Sequence, residues 1–286
     1  MFVLREPWKL QSLYETLEKS LPEKNFIVSC FVLLLLWVYG AIYNIKNKNP
    51  FNLEVLVDGW PDYQTVITRP QKEEMKDDLD YYTNTYHIFT KAPDKLEEVL
   101  ACPQVINWEQ SFQIQGNWSE LNAKMPWFIH SKYERDETRT MLFISVNTRK
   151  LKKSIEDKID VMKLPTVKEN FRTLFLDASH AELVNEHWDF GKNERSLKYV
   201  ERCLQNFPGF GSCELRMGYT VPKYRGQGNM CQLAYQFVSY LTPKNMPFYL
   251  HVAEDKKEVQ KLMRSIGCEE SLCGWHQWTC TPKKYC

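Results

Sequence analysis

The sequence lacks a charge imbalance, and this absence bears on whether the protein binds nucleic acid. Its 37 lysines and arginines nearly balance 36 aspartates and glutamates, which leaves a net charge of +1. A protein that binds nucleic acid through its phosphates usually carries a basic patch, and no such block stands out here. The richest basic run, Arg149 to Lys153, is short and typical of a solvated surface. We therefore expect no nucleic-acid partner.

Paired cysteine motifs are also missing, although the chain has 9 cysteines. No Cys-x-x-Cys occurs, and the acidic residues before the first apolar run are unlike a secretory signal peptide. The cysteines from Cys268 onward follow none of the common zinc spacings. The composition therefore predicts an intracellular protein with free thiols and without a metal site.

A long run without charge occurs in residues 26–45. As a helix, about twenty residues span roughly 30 Å, the thickness of a bilayer core. Lys24 and Lys46 would then lie at the two interfaces. The residues from Val38 to Tyr43 favour a buried strand equally well. A membrane-associated helix over residues 26–45 and a buried strand are both consistent with the sequence.

Apolar periodicity divides the chain into two halves, residues 1–146 and residues 171–286. In the first half, strand patterns lie at 53–57, 65–68, 86–89 and 141–146, and helix patterns at 7–20 and 92–100. Residues 147–170 are rich in charge and poor in apolar periodicity, which is typical of a linker. In the second half, helix patterns alternate with strand patterns up to a last strand at 275–280, which indicates an α/β domain.

Residues 214–241 hold the pattern most informative of function. Alternating apolar residues predict a strand over 214–221, and apolar residues from Met230 to Leu241 have the spacing of an amphipathic helix. The glycine loop between them would place free N–H groups and a helix dipole at one point, where an anion binds. The loop matches neither a P-loop nor the dinucleotide fingerprint, since Cys231 replaces the third glycine. An ordinary turn is the alternative.

The segment from Val221 to Gly228 resembles the acyl-CoA pyrophosphate loop of the GNAT acyltransferases, which has the pattern Arg/Gln-x-x-Gly-x-Gly/Ala. Arg225 and Gly228 match this pattern, whereas Met230 departs from it at the last position. Further segments resemble the glycine N-acyltransferases within that superfamily, at 49–63, 75–87, 90–98, 193–197 and 273–278. The resemblance covers nearly the whole chain. It implies an α/β (α+β) fold of two GNAT-like halves, each a mixed sheet flanked by helices, with catalysis in residues 171–286.

The resemblance implies a reaction as well as a fold. An acyl group would pass from acyl-CoA, a cosubstrate, to the amino nitrogen of glycine, and we expect a long-chain donor and no permanently bound cofactor. Glu214 would be the general base, because an ammonium must lose a proton before it attacks a thioester. Backbone N–H groups near Gly218–Val221 would stabilise the oxyanion. The residues expected to hold CoA are Val221, Arg225, Gly226, Gln227, Gly228, Asn229 and Met230.

Three further polar residues are candidates for binding the glycine carboxylate. Asn193, Glu194 and Arg195 lie between two predicted helices, and Arg195 suits a bidentate pair with a carboxylate. Helix capping and surface pairing are the alternative roles for these side chains. Family membership leaves both the mitochondrion and the endoplasmic reticulum open as the location, and the sequence predicts no oligomeric state.

Two departures from the family pattern bear on activity. The predicted helix 193–207 ends shortly before Glu214, whereas the GNAT fold places two antiparallel strands there. A sheet without those strands loses apolar cover and exposes an edge. Residues 25–37 are also longer and more apolar than the corresponding family segment. A catalytically impaired chain, acting as a weak acyl-CoA binder or a membrane-tethered scaffold, is therefore the alternative to an active transferase.

Overall fold

The protein folds into two compact units of mixed α/β structure, and the fold class is the one predicted. The computed structural model describes residues 1–19, 30–116, 132–145, 147–161, 174–207, 219–244, 248–271 and 275–286. The first unit consists of Met1–Thr140 and Leu272–Cys286, and the second consists of Met141–Ser271.

The first unit is built on a mixed sheet with the strand order β1-β2-β3-β4-β5-β9-β6. Its strands are β1 (Phe2–Val3), β2 (Leu53–Val57), β3 (Thr65–Pro70), β4 (Thr85–Thr90), β5 (Phe112–Gly116), the first part of β6 (Tyr133–Ser145) and β9 (Trp275–Pro282). Neighbouring strands are antiparallel except β4 and β5, which are parallel. The strands predicted around residues 53–57, 65–68 and 86–89 are confirmed.

Helices pack on both faces of this sheet. They are α1 (Pro7–Lys19), α2 (Cys30–Asn47) and α3 (Leu96–Ala101). Val55 and Val57 of β2 pack with α1 and α2, whereas Leu56 packs with α3. Successive side chains of a strand point to opposite faces, so this one strand supplies both cores of the unit.

Helix α2 covers most of residues 26–45 and corrects the buried-strand interpretation of that segment. Val38 to Tyr43 lie inside the helix and do not form a strand. Val38 and Ile42 share one face because they are four residues apart, and both are fully buried against Leu13 and Val55. In the part of the chain that the structure describes, no helix is long and apolar enough to cross a membrane. The start of the segment falls in residues 20–29, outside the described residues.

The second unit packs helices against short strands. Its helices are α4 (Thr148–Val161), α5 (Ala181–His187), α6 (Glu194–Asn206), α7 (Asn229–Leu241) and α8 (Lys257–Ser265), and its strands are residues 141–145 of β6, β7 (Phe248–Ala253) and β8 (Glu269–Glu270). In this unit β6 neighbours β7 and pairs antiparallel with β8. Phe143, Phe237 and Met263 lie in its core.

Two segments differ from the predicted domain organisation. Helix α4 lies within residues 147–170, where the composition predicts a linker. Leu151, Ile155 and Ile159 form a narrow apolar stripe that is buried in the core of the second unit, although charged residues make up most of the rest of the helix. Strand β9, which the sequence assigns to the second half, pairs with β5 and β6 in the first unit. Residues 162–173 lie outside the described residues.

Candidate functional site

The predicted CoA loop lies directly before helix α7. Residues Pro222–Tyr224 form a single 3-10 turn, and Gly226 and Gly228 follow with φ angles of 73° and 74°. These left-handed conformations are costly for residues with a Cβ atom and cost glycine little. The backbone path therefore requires glycine at both positions, as the loop prediction implies.

Helix α7 begins without a side-chain cap. Gly228 is its N-cap residue and has no side chain to accept a bond from the first turn. The amide of Gln232 donates to the carbonyl of Gly228 at 3.1 Å, so the amides that precede Gln232 in the first turn have no acceptor within the helix. These donors and the positive end of the helix dipole favour a bound phosphate.

Among the residues that the structure describes, none crowds Gly226. A Cβ atom added at Gly226 would meet no described atom within 4 Å. Two side chains bond to the backbone of the loop itself: Asn229 Nδ2 donates to the Tyr224 carbonyl at 3.0 Å, and Gln227 Nε2 donates to the Lys223 carbonyl at 3.2 Å. We therefore expect the backbone of Gln227 and Asn229, more than their side chains, to face a ligand.

Arg225 is the cation that directly precedes the first glycine of the loop. Its Nε donates to the carbonyl of Thr220 at 2.9 Å, and its guanidinium carbon lies 5.6 Å from the centroid of the Tyr219 ring. Among the described residues, none accepts a hydrogen bond from its two terminal nitrogens. The side chain is exposed, so these nitrogens can form a bidentate pair with a phosphate.

The thiol beside the loop is unsuited to covalent catalysis. Cys231 lies in the first turn of α7 and is buried. Burial raises the pKa of its thiol, which keeps the sulfur protonated at neutral pH. Because the thiolate is the nucleophilic form of cysteine, the chemistry of this site has to come from other groups.

Asn193 serves as the N-cap of helix α6. Its Oδ1 accepts from the amide of Ser196 at 3.0 Å, while Ser196 Oγ accepts from the amide of Asn193 at 3.1 Å. This reciprocal arrangement is a capping box, so the capping alternative is confirmed for Asn193. Glu194 is exposed and Arg195 is half-buried in the first turn of α6. Contact of these three residues with a glycine carboxylate stays a prediction.

Asn185 is a buried polar residue of α5 that the sequence does not single out. Its Oδ1 accepts from Ser196 Oγ at 2.6 Å and from the amide of Lys192 at 3.1 Å, and its Nδ2 donates to the Asn193 carbonyl at 3.3 Å. A Cβ atom at Gly191 would lie 2.7 Å from Asn185 Oδ1, which explains the glycine. The network joins α5 to the start of α6.

The start of the preceding helix differs from its prediction. The spacing of Ser179 and Glu182 predicts a capping box there. In the structure Asp177 provides the cap instead, with its Oδ1 accepting from the amide of Ser179 at 2.9 Å. A 3-10 turn at Ala178–His180 then leads into α5. Asp177 precedes Ser179 by two positions. The sequence does not indicate Asp177 as a cap, because no glutamate or glutamine follows it at the third position.

The predicted base, Glu214, lies outside the described residues, within 208–218. Most of the predicted strand 214–221 also lies outside the described residues. Tyr219 to Val221, the last part of that strand, are irregular and lead into the loop. Val221 is exposed, and its carbonyl accepts from the amide of Tyr224 at 2.9 Å.

The whole chain is similar to known acyltransferases. Residues 1–208 match the family model of the aralkyl acyl-CoA:amino acid N-acyltransferases, and residues 211–282 match its C-terminal region. The human protein named glycine N-acyltransferase-like protein 2 is 55% identical over 305 aligned positions that cover 100% of both chains. The rat glycine N-acyltransferase is 39% identical over 96% of each chain. The alignment with the human protein is longer than the 286 residues of this chain, so it contains gaps in this chain.

A solved structure with low sequence identity has a similar fold. An X-ray structure of a protein from Drosophila melanogaster aligns with a TM-score of 0.66 over 98% of both chains at 14% identity. This likeness concerns the fold alone. The two family matches together cover nearly every residue, and the relatives match from end to end. The chain therefore belongs to the aralkyl acyl-CoA:amino acid N-acyltransferase family.

Proposed function

We propose that this protein transfers the acyl group of acyl-CoA to the amino nitrogen of glycine, producing an N-acylglycine and CoA. The observation that carries the proposal is the loop from Arg225 to Gly228, which joins two left-handed glycines to an uncapped helix start. The family supplies the reaction class, and relatives named glycine N-acyltransferases point to glycine as the acceptor.

The loop would hold the pyrophosphate of acyl-CoA. Amides at the start of α7 would donate to its oxygens, and Arg225 would neutralise part of its charge. Gly226 leaves room for the ligand because no side chain projects from it. Fixing the CoA moiety fixes the thioester relative to the protein, which converts a bimolecular encounter into attack within one complex.

Glu214 would act as the general base. It would take a proton from the glycine ammonium, and the neutral amine would attack the thioester carbonyl carbon. A C–N bond forms, the C–S bond breaks, and the thiolate of CoA leaves with the electron pair, while the attacking nitrogen releases its second proton to water or to the departing thiolate. Thiolate is a good leaving group, so no general acid is required. Backbone N–H groups near Gly218–Val221 would stabilise the oxyanion of the tetrahedral intermediate.

The finer features of the substrate and location are proposed from the sequence resemblance. We propose a long-chain acyl donor and a location in the mitochondrion or the endoplasmic reticulum. The competing proposal, an impaired chain that binds acyl-CoA weakly or serves as a tethered scaffold, is favoured by the short connection between Asn206 and Val221. An assay of turnover separates the two proposals.

Replacing the proposed base tests the reaction directly. Glu214→Gln should lower kcat by roughly 10²–10⁴-fold, because the amide cannot accept the proton. The measurement is release of CoA thiol from acyl-CoA in the presence of glycine. Glu254→Gln, which changes an exposed glutamate after β7, is the matched control and should match the unmodified protein.

Each result of this assay has one interpretation. Equal rates for Glu214→Gln and the unmodified protein would show that Glu214 is not the base. An unmodified chain that binds CoA but releases no thiol would support the impaired binder over the active transferase.

A further inference from the structure

Three side chains meet beside the predicted CoA loop. The Tyr219 ring lies 4.5 Å, centroid to centroid, from the imidazole of His187 at the end of α5. The guanidinium carbon of Arg225 lies 5.6 Å from the centroid of the same ring. Tyr219 is 42% exposed, so it is not a core residue. A large aromatic ring thus lies at the surface, in contact with a histidine of α5 on one side and with Arg225 on the other.

The ring restricts where the Arg225 side chain points. A guanidinium is attracted to the negative face of an aromatic ring, and the attraction acts even at exposed sites. The bond from Arg225 Nε to the Thr220 carbonyl at 2.9 Å orients the guanidinium plane from a second direction. With these two contacts, the Arg225 side chain loses less conformational entropy on binding a phosphate than an unrestrained exposed arginine would.

The imidazole of His187 is itself fixed. Its Nδ1 donates to the carbonyl of Leu183 at 2.9 Å, one turn earlier in α5. The carbonyl can only accept, so this nitrogen carries a hydrogen. The imidazole meets the Tyr219 ring at 49° and limits its rotation. Helix α5 is in turn joined to α6 by the buried Asn185–Ser196 bond, so the ring is supported by a helix whose place is set in the fold.

We propose that Tyr219 positions Arg225 for a phosphate of acyl-CoA and that His187 holds the Tyr219 ring in place. This inference rests on the proposed function. Tyr219 acts through Arg225, so its expected effect is on the affinity for acyl-CoA and not on the affinity for glycine. That separation distinguishes positioning from a general contribution to folding, which would affect both substrates.

The test compares three substitutions by their Michaelis constants. Tyr219→Leu should raise KM for acyl-CoA about two- to fivefold, the size of a cation–π contact at an exposed site, and leave KM for glycine unchanged. Tyr219→Phe keeps the ring and should leave both constants unchanged. Tyr43→Leu, which removes a ring that is 48% exposed on α2, is the matched control and should change neither constant.

A double substitution shows whether Tyr219 works through Arg225. Arg225→Gln should raise KM for acyl-CoA by itself, and adding Tyr219→Leu should then raise it no further. His187→Leu, which leaves the loop sequence intact, should change KM in the same direction by a smaller factor. It serves as the independent variant if Tyr219→Leu lowers the melting temperature.

The outcomes separate this inference from the proposed function. If Arg225→Gln raises KM for acyl-CoA but Tyr219→Leu and His187→Leu do not, the positioning role is wrong and the CoA loop stands. If the effects of Tyr219→Leu and Arg225→Gln multiply, Tyr219 does not act through Arg225. If Arg225→Gln leaves KM unchanged, the proposed CoA loop is wrong and this inference with it.

Discussion

At the residue scale, the second unit contains a small group of polar side chains that are buried and hydrogen-bond to one another. Ser196 is fully buried, and its hydroxyl contacts Asn185 at 2.6 Å and the amide of Asn193 at 3.1 Å. A buried donor or acceptor that loses its partner keeps the full cost of its desolvation. The contacts that join α5 to α6 should therefore weigh more in stability than the exposed ion pairs of this unit.

Removal of the Ser196 hydroxyl measures this contribution. Ser196→Ala leaves Asn185 Oδ1 with one donor fewer and breaks half of the capping box. We expect the free energy of unfolding to fall by about 1–3 kcal/mol. Chemical denaturation provides the measurement, and Lys198→Ala on the exposed side of α6 is the control, expected within about 0.5 kcal/mol of the unmodified protein. A loss for Ser196→Ala no larger than that of the control would mean that the network is dispensable.

At the element scale, helix α2 shows how far apolar composition determines an assignment. The run in residues 26–45 has the composition of a membrane helix, yet its later residues pack against α1 and β2. Hydropathy averages over a segment, whereas burial depends on which partner the fold brings to each face. Val38 and Ile42 find that partner in the sheet of the first unit.

A substitution in α2 tests this packing. Ile42→Ala should lower the free energy of unfolding by about 2–5 kcal/mol, because a buried isoleucine loses its contacts and leaves a cavity. The neighbouring Tyr43→Leu removes an exposed ring and should cost far less. Thermal and denaturant unfolding of the two variants give the comparison. Similar stability in both would contradict the burial of Ile42 in a protein core.

The elements also show what a sequence predicts and what it leaves out. Helices α1, α6, α7 and α8 and strands β2, β3, β4, β7 and β9 were predictable, because their apolar residues repeat with one clear period. The sequence does not indicate helix α4, because its buried apolar residues occur only at every fourth position and charged residues dominate its composition. The glycine loop was predictable because a backbone with positive φ angles requires glycine, which is visible in the sequence. The Asn185 network was not predictable, because it depends on contacts between separate helices that no local pattern encodes.

At the scale of the whole molecule, chain order and compact units do not coincide. Strand β9 comes last in the sequence but pairs with β5 and β6 in the first unit. Trp278 of β9 is fully buried in the first unit's core with Ile114 and Phe112. The apolar periodicity predicts that β9 is a strand. It does not predict which strands β9 pairs with, because pairing between segments so far apart in sequence depends on long-range contacts. The first unit therefore needs the C-terminal segment to complete its sheet.

The central claim concerns the binding of CoA by the loop before α7. The direct measurement is calorimetric titration of coenzyme A into the unmodified chain, into Arg225→Gln and into Arg149→Gln, an exposed arginine of α4 that serves as the control. We expect measurable binding by the unmodified chain and by Arg149→Gln. For Arg225→Gln we expect affinity lower by about tenfold or more, since a charged hydrogen bond contributes about 1.5–3 kcal/mol. An unmodified chain without affinity for coenzyme A, or equal affinity in Arg225→Gln, would show that the loop before α7 is not a CoA site.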